Sequence, residues 1–227
     1  MGQHGLYEQH DTVVVVAGGP GEPPSAIQSP AGAPVVAADG GIDRALALRL
    51  EVAVAVGDFD SVTAAGLTAV TAAGARVEQH SPEKDATDLE LALDAALAFG
   101  PRRIVVLGSD SGRLDHLFSM LLLLGADRYA EVEIDAGLGP ARVHVVRGER
   151  RLEGAPGELV SLFALHGPAT GVTTEGLRFP LHGESLLAGS SRGVSNVFEA
   201  AVASVSVESG VLLAVRPGDR VRERSGQ

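Results

Sequence analysis

Short runs of Val, Ile and Ala alternate along the first part of the chain with longer stretches in which apolar residues recur at three- and four-residue spacing. The runs at residues 12–17, 34–38, 52–56, 75–79, 103–107 and 131–134 predict strands. As strands of a parallel sheet covered by helices, they are expected to be buried on both faces. Helical periodicity marks residues 42–50, 64–73, 88–99 and about 114–124. Strand and helix taking turns predicts an α/β unit, a doubly wound, mostly parallel sheet. The pattern changes after 136–141, where Gly137, Gly139 and Pro140 suggest a linker. Beyond it, runs at 142–147, 159–165, 176–181, 201–207 and 211–215 are short and β-branched, with no good helical period. Ser209-Gly210 fits a tight hairpin turn between the last two. The expected architecture is an α/β domain over residues 1–137 and an all-β sandwich domain over residues 141–227, with the charged tail 220–227 frayed.

Composition narrows the chemistry. There is no cysteine among the 227 residues, so disulfides, thiolate metal sites and a cysteine nucleophile are excluded. A net charge of −11 argues against a nucleic-acid partner. Lys84 is the sole lysine, so a P-loop is absent, and a bound anion must be met by Arg, backbone amides or a metal ion. The polar start, residues 1–12, lacks a signal pattern, and the leucine run 121–124 falls far short of the roughly 20 residues of a membrane span. A cytoplasmic, membrane-free protein is expected.

In an open parallel sheet, ligands bind beyond the carboxyl ends of the strands. Four of these ends are acidic or glycine-rich: Asp39-Gly40-Gly41, Gly57-Asp58-Phe59-Asp60-Ser61, Glu83-Lys84-Asp85-Ala86-Thr87-Asp88, and Gly108-Ser109-Asp110-Ser111-Gly112-Arg113-Leu114-Asp115-His116. Converging on one rim, so many carboxylates would repel one another unless a hard cation bound there. Mg²⁺, which keeps coordination sites open for phosphate oxygens, fits best. Taken singly, each pair reads equally well as a turn or helix cap. Thr87 and Glu90 fit a capping box, and the helix they open aims its N-terminus at phosphate. Arg113 has the fork geometry of a phosphate clamp, while His116 is as consistent with packing on its helix as with proton transfer.

Ala38-Asp39-Gly40-Gly41, Gly57-Asp58-Phe59-Asp60-Ser61, Lys84-Asp85-Ala86-Thr87-Asp88-Leu89 and Gly112-Arg113-Leu114-Asp115-His116, in this order, resemble the thiamine pyrophosphokinase family. So do Thr174-Glu175-Gly176-Leu177-Arg178-Phe179-Pro180-Leu181 and Gly193-Val194-Ser195-Asn196 in the β-rich half. The resemblance spans about residues 12–215. It implies transfer of pyrophosphate from Mg-ATP to the thiamine hydroxyl, releasing AMP. It further implies a homodimer, with both substrates held between domain faces of the two subunits. By this matching Asp58, Asp60 and Asp88 hold Mg²⁺. Asp39, Gly40, Asp85, Thr87, Arg113, Asp115 and His116 place the nucleotide, and Phe179, Ser195 and Asn196 lie against thiamine.

The chain departs from the family pattern at three points: Phe179 stands where tryptophan is usual, Asp43 where asparagine is common, and Ser111 where glycine is usual. Phe179 offers a smaller stacking face and no indole donor. Three other readings compete: pyrophosphate transfer to a related alcohol such as a pterin, a non-catalytic nucleotide-binding relative, and a haloacid-dehalogenase-like phosphatase. The last draws on Val56-Gly57-Asp58-Phe59-Asp60-Ser61-Val62, with Asp58 as nucleophile.

Overall fold

The computed structural model describes residues 10–21 and 30–218, so the tail at 220–227 lies outside the described residues. The chain divides into two compact units. One takes the described residues within Met1–Met120 together with Glu131–Gly139; the other takes Leu121–Ala130 and the described residues from Pro140 onward.

The first unit is built on six parallel strands: β1 (Thr12–Ala17), β2 (Val35–Ala38), β3 (Val52–Gly57), β4 (Arg76–Gln79), β5 (Arg103–Gly108) and β6 (Glu133–Leu138). Their order across the sheet is β6-β5-β1-β2-β3-β4. The chain steps outward from β1 to β4, then returns to set β5 on the other side of β1. Val14 and Val16 of β1 pack with Ala45 of α1 (Gly41–Ala47), while Val13 and Val15, which alternate with them, are equally buried. Both faces of this strand are therefore covered, which is why its sequence is an unbroken apolar run. β4 differs from the expectation of full burial. It is the sheet edge, three of its four residues are exposed, and Val77 is 39% accessible.

Helix ends follow local chemistry. Thr63 caps α2 (Ala64–Ala72), its Oγ1 accepting from Gly66 N at 3.0 Å, and Thr87 caps α3 (Asp88–Leu97) in the same way from Glu90 N at 3.2 Å. α1 stops three residues before the expected boundary because Arg49 turns left-handed (φ 57), with Leu50 N donating to Ala45 O and Arg49 N to Leu46 O. At its start, a Cβ on Gly41 would meet Val16 O at 2.1 Å. Only glycine lets α1 sit so close to β1.

The second unit has an antiparallel sheet of long strands: β7 (Ala141–Glu153), β8 (Leu159–Glu175) and β11 (Val202–Arg216), with β11 between the other two. β9 (His182–Leu186) and β10 (Asn196–Val197) pair with β8. Both halves of β8, through Val160 and Leu162 and through Ala169 and Val172, feed one apolar core with Leu177, Phe198, Val205 and Leu212.

Three local expectations are corrected here. The linker at 136–141 is the end of β6 and the start of β7, leaving Gly139 (φ 56) and Pro140 as a two-residue turn. Ser209-Gly210 is not a hairpin. β11 runs through it with a register shift, and Gly210 (φ 91) supplies the irregular backbone, since a Cβ there would meet Pro168 O at 2.5 Å. Residues 176–181 form a loop with one bridge, Leu177 to Phe198, while β9 begins only at His182.

Candidate active site

Because the sheet is parallel, the loops after β2, β3 and β4 leave from adjacent strand ends on one edge. The backbone ties them together: Asp39 N donates to Val56 O and His80 N to Gly57 O, both at 2.8 Å. Among the described residues, Asp39, Asp58 and Asp60 each offer an oxygen, and these oxygens lie within 4.8 Å of one another. Ser61 stitches the group, its N donating to Asp39 Oδ1 at 3.3 Å and its Oγ to Asp60 Oδ1 at 2.7 Å. Asp60 N donates to Asp58 Oδ1 at 3.4 Å. Asp39 (φ 44) and Phe59 (φ 62) are both left-handed non-glycine residues, a backbone arrangement that costs energy and recurs at functional sites.

Asp88, at the start of α3, comes up beside this trio. Its Oδ1 lies 3.2 Å from where a Cβ on Gly57 would sit. Lys84 joins the two groups: its Nζ donates to Asp58 Oδ2 at 2.9 Å and lies 2.9 Å from Asp88 Oδ1. The Asp88 oxygen is buried, with the Lys84 ammonium as its charge partner. Burial, opposed by hydrogen bonds from Gly40 and Ser61, pushes the Asp39 carboxyl above its usual range, and the Asp88 charge adds to the rise. The hydrogen bond from Lys84 holds Asp58 below its own. Three convergent carboxylate oxygens, one of them hard to ionise unaided, are a donor set suited to a hard divalent cation. The trio brought together contains Asp39, which the resemblance had assigned to the nucleotide, and Asp88 stands beside it, sharing Lys84 with Asp58.

Other expected residues are placed as follows. Gly40 is the N-cap of α1. Asp85 is exposed on the Lys84 loop, and Thr87 is spent on its cap. Arg113, Asp115 and His116 lie at the carboxyl end of β5, separated from β2 by β1. Arg113 grips the Asp115 carboxylate with Nε at 3.2 Å and Nη2 at 2.7 Å, and both side chains are largely exposed. That grip holds the Asp115 pKa down at about 2. His116 is exposed, its backbone N donating to Asp115 Oδ1 at 3.0 Å. Of the departures, Asp43 spends its carboxylate on Thr63, accepting from N at 2.8 Å and from Oγ1 at 2.7 Å. Ser111 Oγ donates to Pro20 O at 3.0 Å.

In the second unit Phe179 is 62% exposed. Asn196 is buried, and its side chain binds the Phe179 backbone rather than lining an open surface. Ser195 is exposed and left-handed (φ 59), its N donating to Ser161 Oγ at 3.0 Å. Sequence reasoning gave no role to Lys84 or Ser61. The one available signal was that the chain's single lysine falls within an acidic loop. No helix among the described residues is long and apolar enough to cross a membrane.

Comparison with known proteins agrees with this layout. The family description "Thiamin pyrophosphokinase, catalytic domain" matches residues 32–134, and "Thiamin pyrophosphokinase, vitamin B1 binding domain" matches residues 143–212. Thiamine pyrophosphokinase of Bacillus subtilis is 28% identical over 187 residues, 79% of this chain and 86% of that protein. The crystal structure of a Bacillus subtilis thiamine pyrophosphokinase superposes with a TM-score of 0.78 at 26% identity, covering 92% of this chain and 99% of that one. A thiamin pyrophosphokinase family protein from Enterococcus faecalis gives 0.78 and 26%, covering 92% and 100%.

Proposed function

The chain belongs to the thiamin pyrophosphokinase family, ATP-dependent diphosphotransferases, and we propose that its acidic rim performs that family's transfer on Mg-ATP and thiamine. The thiamine hydroxyl oxygen bonds to the β-phosphorus of ATP and releases its proton to solvent, the bond from that phosphorus to the α–β bridging oxygen breaks, and AMP leaves. Thiamine diphosphate is the other product. The observation that carries this reading is the meeting of Asp39, Asp58 and Asp60 at adjacent strand ends.

In this reading Asp39, Asp58 and Asp60 hold Mg²⁺, with Asp88 flanking them. When bound, the cation neutralises triphosphate charge and orients the reacting groups. Phosphoryl transfer asks the protein mainly for positioning and charge compensation, and Arg113 supplies a planar, bidentate donor for phosphate oxygens. Gly40, Asp85, Thr87, Asp115 and His116 belong to the nucleotide side. Phe179 offers its exposed face to the thiamine ring, with Ser195 beside the loop and Asn196 holding it. Nucleotide and metal chemistry thus belongs to a doubly wound unit at 1–137, and thiamine recognition to a β-sandwich at 141–227.

A homodimer in the cytoplasm, without nucleic acid or membrane, completes the proposal. Exposed apolar side chains on α4 (Leu114–Leu124) support the dimer: Leu114 is 77% and Phe118 62% accessible, and Leu124 is the helix's buried residue. Incubation with Mg-ATP and thiamine, followed by product identification, tests the reaction. AMP with thiamine diphosphate is expected. ADP with thiamine monophosphate, or no turnover, overturns it. Asp58→Asn is expected to abolish the reaction.

A further inference from the structure

We propose that Lys84 is the resident counter-ion of the acidic rim, an ammonium that a divalent cation must compete with and that a triphosphate then receives. The inference rests on the reading of the rim as a cation site and goes beyond it by giving a positioning role to a residue outside the carboxylate trio. Lys84 is the single lysine of the chain, and it lies against the cluster of converging carboxylates formed by Asp39, Asp58 and Asp60. Its side chain is 15% exposed, and that of Asp58 12%. It reaches Asp58, 26 positions away, with a hydrogen bond, and Asp88 at the same distance of 2.9 Å. Without it, the four carboxylates of Asp39, Asp58, Asp60 and Asp88 would face one another with no cationic partner in this loop set.

Charge arithmetic makes the arrangement exchangeable. A divalent ion and an ammonium on the same carboxylate lie within about 4 Å and repel each other. The ion therefore gains less from Asp58 while Lys84 stays. An ammonium is a compact charge on a flexible four-carbon stem, so it can leave without disturbing the backbone, which a planar guanidinium held at two points cannot do as readily. Its natural destination is a phosphate oxygen, since a triphosphate arriving with the metal brings several. Metal alone then binds weakly, triphosphate with metal binds strongly, and the two affinities are linked reciprocally.

Because Lys84 is the only lysine, protein carrying ¹³Cε-labelled lysine gives one side-chain signal from the wild-type chain. Adding Mg²⁺ is expected to shift that signal, and adding α,β-methylene-ATP with Mg²⁺ to shift it to a third position. In parallel, Mn²⁺ binding without nucleotide is expected to be about tenfold tighter in Lys84→Met than in wild type, while the gain in Mn²⁺ affinity on adding the analogue shrinks. A signal that stays fixed while Mn²⁺ binding is lost in Asp58→Asn overturns the role of Lys84 and leaves the cation site standing. So does Mn²⁺ affinity that is equal or weaker in Lys84→Met. Mn²⁺ binding unchanged in Asp58→Asn overturns the cation site itself, and this inference with it.

Discussion

Asn196 and Phe179 are joined in both directions: the Asn196 Oδ1 accepts from Phe179 N at 3.0 Å, and its Nδ2 donates to Phe179 O at 2.7 Å. The same Oδ1 also accepts from Val197 N at 2.9 Å. A buried amide thus holds the loop that carries an exposed ring. Removing it strands backbone groups, each costing about 1–3 kcal/mol when left without a partner. Asn196→Ala is expected to lower unfolding free energy by roughly 2 kcal/mol, measured by urea denaturation, and to raise the KM for thiamine. An unchanged urea midpoint would refute the clamp.

Phe179 makes the opposite prediction. Its ring is 62% exposed, so Phe179→Ala is expected to leave stability within about 0.5 kcal/mol of wild type. The KM for thiamine should rise, since offset stacking contributes about 0.5–1.5 kcal/mol beyond area burial. Phe179→Trp, with a larger face, should lower that KM. Steady-state kinetics with thiamine as the varied substrate decides; a KM insensitive to both changes removes Phe179 from the binding surface.

The parallel strands were legible because their signal is local. β1 is an unbroken valine run, and a run buried on both faces reads the same in isolation as in the sheet. Asp58 and Asp60 were legible for a related reason, as an acidic loop directly after such a run. What escaped depended on distant partners. Gly210 looks like a hairpin glycine, but pairing of β11 with β7 on one side and β8 on the other keeps the strand continuous. Asn196 is placed against thiamine by the resemblance alone, and only the fold shows it buried against the Phe179 backbone. Lys84 finds Asp58 across 26 residues, which no local pattern encodes.

Gly57 sits at the hinge of the rim with φ 148, where a Cβ would press on Asp39 Cβ at 3.1 Å and Asp88 Oδ1 at 3.2 Å. An alanine there is strained in its backbone and forces two site carboxylates apart. Gly57→Ala is expected to destabilise by about 1–3 kcal/mol. Mn²⁺ affinity should fall with it, even under conditions where the variant is fully folded. Calorimetry of the folded variant separates the two effects, and wild-type Mn²⁺ affinity there would show that the carboxylates tolerate the shift.

Asp39 and Asp58 should leave opposite marks on stability against pH in metal-free protein. The Asp58 pKa is depressed, so its contribution is present above the ordinary value of 3.8 and is lost as pH falls through its lower folded value. The Asp39 pKa is raised by burial, so the folded state holds that proton more firmly than the unfolded one. Its contribution is present below 3.8 and is lost as pH rises through the folded value. In EDTA, Asp39→Asn is therefore expected to gain thermal stability over wild type between about pH 4 and pH 7, while Asp58→Asn loses it throughout that range and the loss fades only as pH falls below about 4. Added Mn²⁺ should reverse the Asp39 difference, because an ion stabilises only a chain that can offer it the ionised carboxylate. A gain in Asp39→Asn that survives saturating Mn²⁺ would place Asp39 outside the cation's reach.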